Sequence, residues 1–216
     1  MATQALVLVN QDSPRSESDG NFTRLKGTKR GEACVVDFYV EMALEQRGFQ
    51  VRDGVLSAPI TSDIPLVDEL AEMATNPGTG ITILPCELVI ATGLAPGTLH
   101  EYAAKSRPLT VAVTGTAFTA LPMYLGGVAA QSQSFVSGAG GVDVGAGEDV
   151  TLDRMHWHFA HPLAMGAWDT PAPWLPIAPP VIAGDSIFYV QIGATGTATS
   201  HFTHYNFIEL RTANID

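Results

Sequence analysis

The chain has 216 residues, 46% of them hydrophobic and only 15% charged, with a formal net charge of −11. That length suits one large domain with its own core, and the sign of the charge excludes a protein that works by neutralising phosphates. With so few charges, the surface must be finished by Gly, Thr, Ser and Ala and by contacts between subunits.

Residues Met1 to Asn10 lack a basic segment and their apolar run is too short for a signal peptide, so no targeting segment is expected. No stretch reaches the apolar length needed to span a bilayer. Arg15, Arg24, Lys26, Lys29 and Arg30 are five of the eleven basic residues and fall within sixteen positions. Glu17, Asp19 and Glu32 interleave with them, which reads as a solvated arm over residues 1–30, followed by one domain over 31–216. The sequon Asn21-Phe22-Thr23 means little without a secretory signal.

Cys34, Val36, Phe38, Val40, Met42 and Leu44 share one parity, with Asp37, Glu41 and Glu45 on the other, predicting a long half-buried strand. The Glu, Met, Ala and Leu of this stretch would also accommodate a helix. Ser62 to Met73 carries a capping residue, a first-turn proline and early acids, predicting a short helix ended by Asn76-Pro77-Gly78. On it, Asp68, Glu69 and Glu72 read as a solvated face. Ile81 to Ala91 is a predicted strand with Leu84, Cys86, Leu88 and Ile90 buried, and Pro85 marks an edge or a bulge. Leu109 to Thr116 reads as a strand that Gly115 ends.

The glycine-rich residues 126–149 read as a long loop or a loosely packed hairpin. Asp169 to Pro180 holds five of the fourteen prolines; it cannot pair as a central strand and should wrap the surface. Ser186 to Ile192 and Ser200 to Leu210 are predicted strands joined by a hairpin turn over Gly193 to Gly196. About eight short strands, one brief helix and no alternating long helices predict an all-β, jelly-roll-like β-sandwich with an extended N-terminal arm.

Cys34 and Cys86, 52 positions apart, form no metal-type pair; buried free thiols are expected, with a single disulfide as the alternative. In a strand His156 and His158 share a face, the spacing a cupin-type metal site uses, but the glutamate that pattern needs is missing. Met155, Trp157 and Phe159 form the more apolar parity and the expected core face. His156 and His158, beside Arg154, would then face solvent or a neighbouring subunit. Trp157, Trp168 and Trp174 could line a sugar platform, but packing and interfaces are the commoner use of tryptophan. Trp174, Trp168, His156 and His158 are therefore the interface candidates. No Gly-x-Ser-x-Gly elbow, Walker motif or dinucleotide glycine pattern is present, so no catalytic residue, metal or cofactor is expected.

Gly78-Thr79-Gly80-Ile81-Thr82-Ile83-Leu84-Pro85 is followed by Trp174-Leu175-Pro176, by Pro179-Pro180-Val181-Ile182-Ala183-Gly184-Asp185, and by Tyr205-Asn206-Phe207-Ile208-Glu209-Leu210. This order resembles the jelly-roll structural proteins of bacteriophages, the capsid-decorating or cement type in particular, over about residues 30 to 211. The resemblance carries no functional residues with it. It implies a non-enzymatic protein located in the virion, a homotrimer that clamps the major capsid protein through buried subunit faces and an extended arm. Neither a membrane nor nucleic acid is expected as a partner. A carbohydrate-binding or tail-tip adhesin module and a cupin-like metalloenzyme are the alternatives.

Overall fold

Period-two alternation runs furthest in Thr199–Arg211, where Thr203, Tyr205 and Phe207 point one way and Asn206, Ile208 and Leu210 the other. Both sets are buried, because the strand is covered on both faces. The computed structural model describes residues 6–7, 23–24, 38–55, 57–62, 70–92, 100–138, 141–145, 151–161, 173–194 and 199–214. Within residues 1–30 it describes a two-rung antiparallel ladder of β1 (Leu6–Val7) and β2 (Thr23–Arg24). The rest of the expected arm lies outside the described residues.

The elements that follow are α1 (Phe38–Leu44), β3 (Gly48–Asp53), β4 (Ile60–Ser62), β5 (Leu70–Ala71) and β6 (Met73–Asn76). Next come β7 (Gly78–Thr92), β8 (His100–Pro108), β9 (Thr116–Phe118), β10 (Leu121–Pro122) and β11 (Gln133–Val136). The chain closes with β12 (Val142–Asp143), β13 (Arg154–His161), β14 (Ile182–Gly184), β15 (Ser186–Ala194) and β16 (Thr199–Arg211). Apart from the two-stranded ladders β1-β2 and β5-β12, the strands form an all-β, jelly-roll-like sandwich of two six-stranded antiparallel sheets. The first has the order β10-β3-β16-β7-β14, with β4 also on β16; the second has the order β13-β8-β15-β6-β11-β9. Phe49, Val51, Ile83, Leu88, Tyr205 and Phe207 of the first sheet meet Met73, Tyr102, Phe188 and Val190 of the second in the main core.

The chain changes sheet at tight corners. Asn76-Pro77-Gly78, expected to stop a helix, instead turns β6 of the second sheet into β7 of the first. Gly78 holds φ at 80° and its N–H donates to Asn76 Oδ1 at 2.9 Å. Gly184, at φ 58°, makes the matching turn from β14 to β15. The expected hairpin between the last two strands does not form. β15 is already flanked by β8 and β6, and β16 by β7 and β3, so neither has a free edge for the other.

Four further expectations change. The stretch 38–44 is helical, since only Met42 of its described apolar residues is buried, packing across β16 onto Ile208 and Leu210. Its end is capped by Gln46 at φ 62°, with Arg47 N–H bonded to Met42 O at 2.8 Å. The expected helix ends as strand, because Leu70–Ala71 and Met73–Asn76 pair with β12, β11 and β15. In β7 the pairing passes from Glu87↔Asn206 to Pro85↔Phe207, so Cys86 is a bulge residue and the buried parity changes there. Ile81 and Ile83 are buried on one side of it and Leu88 and Ile90 on the other, leaving Leu84 and Cys86 half-buried. The strand expected at 109–116 lies one element earlier, in His100–Pro108; Leu109 and Val113 cover the second sheet's outer face instead.

Polar groups bridge the sheets at one end. Glu72 is 2% exposed, not solvated, and its carboxylate lies 3.5 Å from Nε2 of the fully buried His201. Nearby, Asp53 Oδ2 accepts from Ser137 N–H at 2.9 Å and Ser137 Oγ–H at 2.8 Å. Burial, with a further push from Glu72, raises the Asp53 pKa above its ordinary 3.8 despite these hydrogen bonds. A carboxyl that holds its proton more tightly when folded loses stability as pH rises from that ordinary value through the raised one. Asp53→Asn should therefore flatten the fall in stability above about pH 4 and be at least as stable as the parent at neutral pH. Urea unfolding across that window measures both, and a large loss at neutral pH would show that the charged Ser137 hydrogen bonds dominate.

Candidate interaction surface

β13 is an edge strand on β8, and its ladder contains an extra residue. Arg154 pairs with Ser106 and Met155 with Lys105, but Ala104 is met by Trp157, so His156 is the bulge. The bulge turns His156 inward. Its Nε2 lies 2.8 Å from Ser106 Oγ, and its ring stacks at 6.5 Å on both Trp174 and Phe188. Burial, helped by the charge of Arg154, holds its pKa below the ordinary histidine value. His158 is exposed on the other side. The expected shared face of His156 and His158 is thus split by one inserted residue, and the metal spacing goes with it. Among the described residues no group of three His, Cys, Asp or Glu side chains is placed to hold a metal ion.

Trp157 and Phe159 pack on the core as expected, but Met155, before the bulge, is half exposed. Trp174, expected as a surface anchor, is a core residue. Its backbone N–H and C=O pair with those of Leu88 at 3.0 Å, and its ring stacks on Phe188 at 6.0 Å. Trp168 lies outside the described residues. His201 faces the interior and His204 the outer side of β16, where burial lowers its pKa. Cys86 is free, its Sγ–H donating to Asn206 O at 3.3 Å, while Cys34 lies outside the described residues.

The exposed large apolar side chains concentrate in three places, two of which the sequence reading did not single out. One group is Tyr39, Val40 and Leu44 on α1. A second is Met123, Tyr124, Leu125 and Val128 in the turn after β10, with Leu125 94% exposed. The two groups adjoin, because Met123 N–H bonds to Gly48 O at 2.9 Å and Val128 N–H bonds to Gln46 Oε1 at 3.2 Å. A third group, Leu175, Ile177 and Val181, flanks the buried Trp174. The strand reading of 38–44 concealed the first group by assigning Val40 and Leu44 to a core face. A short helix with apolar residues both beneath and on top is the mark of an element covered on both sides.

No family model, no curated protein and no solved structure matches this chain. No helix among the described residues is long and apolar enough to cross a membrane.

The histidine pair yields a direct test. His156→Ala leaves the buried Ser106 hydroxyl without its partner and should cost about 1–3 kcal/mol. His158→Ala, at an exposed position, should stay within about 0.5 kcal/mol of the parent. Equal effects in denaturant unfolding would show that the bulge does not separate them.

Proposed function

We propose that the chain is a virion structural protein that decorates and stabilises a capsid through apolar subunit contacts. The observation that carries this reading is the exposed apolar surface of α1 and the 123–128 turn, on a chain with only 15% charged residues. Apolar surface of this kind is worth roughly 25 cal/mol per Å² when covered, and contiguous exposed patches mark interaction sites. Its partners on this reading are further copies of itself, as a homotrimer, and the major capsid protein. The interface role assigned to Trp174 passes to Leu175, Ile177 and Val181, which surround it on the surface. The acidic balance suits an outward-facing position, away from the packaged genome. The carbohydrate reading loses support because the Trp174 indole is buried.

Light scattering coupled to size exclusion should find a closed homo-oligomer that survives high salt, since salt screens charge pairs and not apolar contacts. Leu125→Ser should weaken it by about tenfold or more while leaving the melting of the dissociated monomer unchanged, because that side chain contributes nothing to the monomer's core. A chain that stays monomeric at high concentration, or that is absent from the outer surface of its particle in a cryo-EM map, overturns the proposal.

A further inference from the structure

Turning His156 inward completes a cavity of about 340 Å³ between β8, β13 and the proline-rich segment before β14. Much of its wall is apolar, formed by Trp174, Pro176, Pro180 and Ile182. The polar part of the lining is Ser106, His156 and the exposed Arg154. His156 Nε2 shares a hydrogen bond with Ser106 Oγ, and Nδ1 has no partner among the described residues; in the tautomer in which the Ser106 hydroxyl donates, Nδ1 carries the proton. Arg154 forms no ion pair among the described residues either. An uncommitted imidazole nitrogen and an uncommitted guanidinium therefore line one slot whose wall is part polar and part apolar. A larger cavity beside α1, about 490 Å³, is different: Arg47 is bonded to Glu45, and Glu209 accepts backbone N–H groups from Gln131 and Ser132.

We infer that the slot beside His156 binds a small organic anion, a carboxylate with an apolar body. Arg154 meets the charge with its planar pair of N–H donors, which match a carboxylate's two oxygens. In the tautomer in which Ser106 donates, His156 Nδ1–H supplies a neutral donor, and the prolines and Trp174 cover the hydrocarbon. Convergent polar groups beside apolar walls are a general feature of small-molecule sites, and a β-bulge is a recurrent means of aiming a side chain into one. The bulge explains why the imidazole stands here and not on the outer face. The low pKa of His156 leaves its ring neutral near pH 7, so the ligand's charge is met by Arg154.

Isothermal titration calorimetry with 2-naphthoate and its neutral isostere 2-naphthamide tests this on the full chain. The expected result is saturable one-to-one binding of naphthoate, with naphthamide about tenfold weaker or more. Arg154→Gln, at an exposed position, should weaken naphthoate by about the same factor and leave naphthamide unchanged. Ala178→Trp, an exposed lining position, should fill the slot and abolish both. A thermal melt of each variant confirms the fold. No saturable binding at millimolar naphthoate, equal affinity for Arg154→Gln, or unchanged binding in Ala178→Trp would each overturn the site. Val181 on the slot's rim also belongs to the apolar group assigned to subunit contacts, so light scattering of each variant separates a loss of naphthoate binding from a change in assembly.

Discussion

Phe188 and Tyr205 meet edge to face across the sandwich, ring centroids 5.3 Å apart, one from the central strand of each sheet. The strands that carry them, β15 and β16, are neighbours in sequence, yet each is enclosed by pairing partners in its own sheet. Burying Tyr205 completely brings its hydroxyl into the core, where an unmet polar group costs about 1–3 kcal/mol. Thr75 of the opposite sheet takes that hydrogen bond, and Thr75 is in turn bonded to Ser134 Oγ at 2.8 Å. One aromatic contact and one hydroxyl chain thereby set β6, β11, β15 and β16 against one another. The rings continue outward from Phe188 to Trp174 and His156, and from Tyr205 to Phe207 and Phe49.

The bulges follow from the same constraint. β16 is buried on both parities without a bulge, but two of its fellow strands shift phase where the rings demand it. β7 does so at Cys86, whose thiol, pushed up to about 12 by burial, remains protonated and bonded to Asn206 O. β13 does so at His156, which joins the ring stack instead of facing outward. Each bulge costs one ladder position and aims one side chain.

Both outer faces are covered as well. α1 lies over Ile208 and Leu210 of the first sheet. On the second sheet, the β5–β12 ladder with Leu109 and Val113 covers Ala74, Ile187 and Tyr189. Under this layer lie Lys105, wholly buried, and Arg107, which is 3.6 Å from Asp153 and bonded to Gly145 O. Covering the sheets in this way moves the remaining apolar side chains onto helix and turn surfaces. These are the segments on which a subunit contact would be built.

The sequence by itself determined the class of fold, the two closing strands, the break at Pro85 and the turn at Asn76-Pro77-Gly78, because alternation and backbone restrictions act locally. It did not determine which sheet each strand joins, since an apolar strand is equally satisfied by any partner that buries it. Helix and strand were exchanged at 38–44 and 70–76 for this reason. Met42 needs only one buried side on Ile208, whereas Met73, Ala74 and Thr75 are enclosed on both. The site suffered the same limit. Ser106, His156 and Trp174 are up to 68 positions apart, and a single inserted residue decides whether an imidazole looks inward or out. That choice belongs to the tertiary structure, because the bulge is defined by the pairing with β8 and held by the Ser106 and Phe188 contacts.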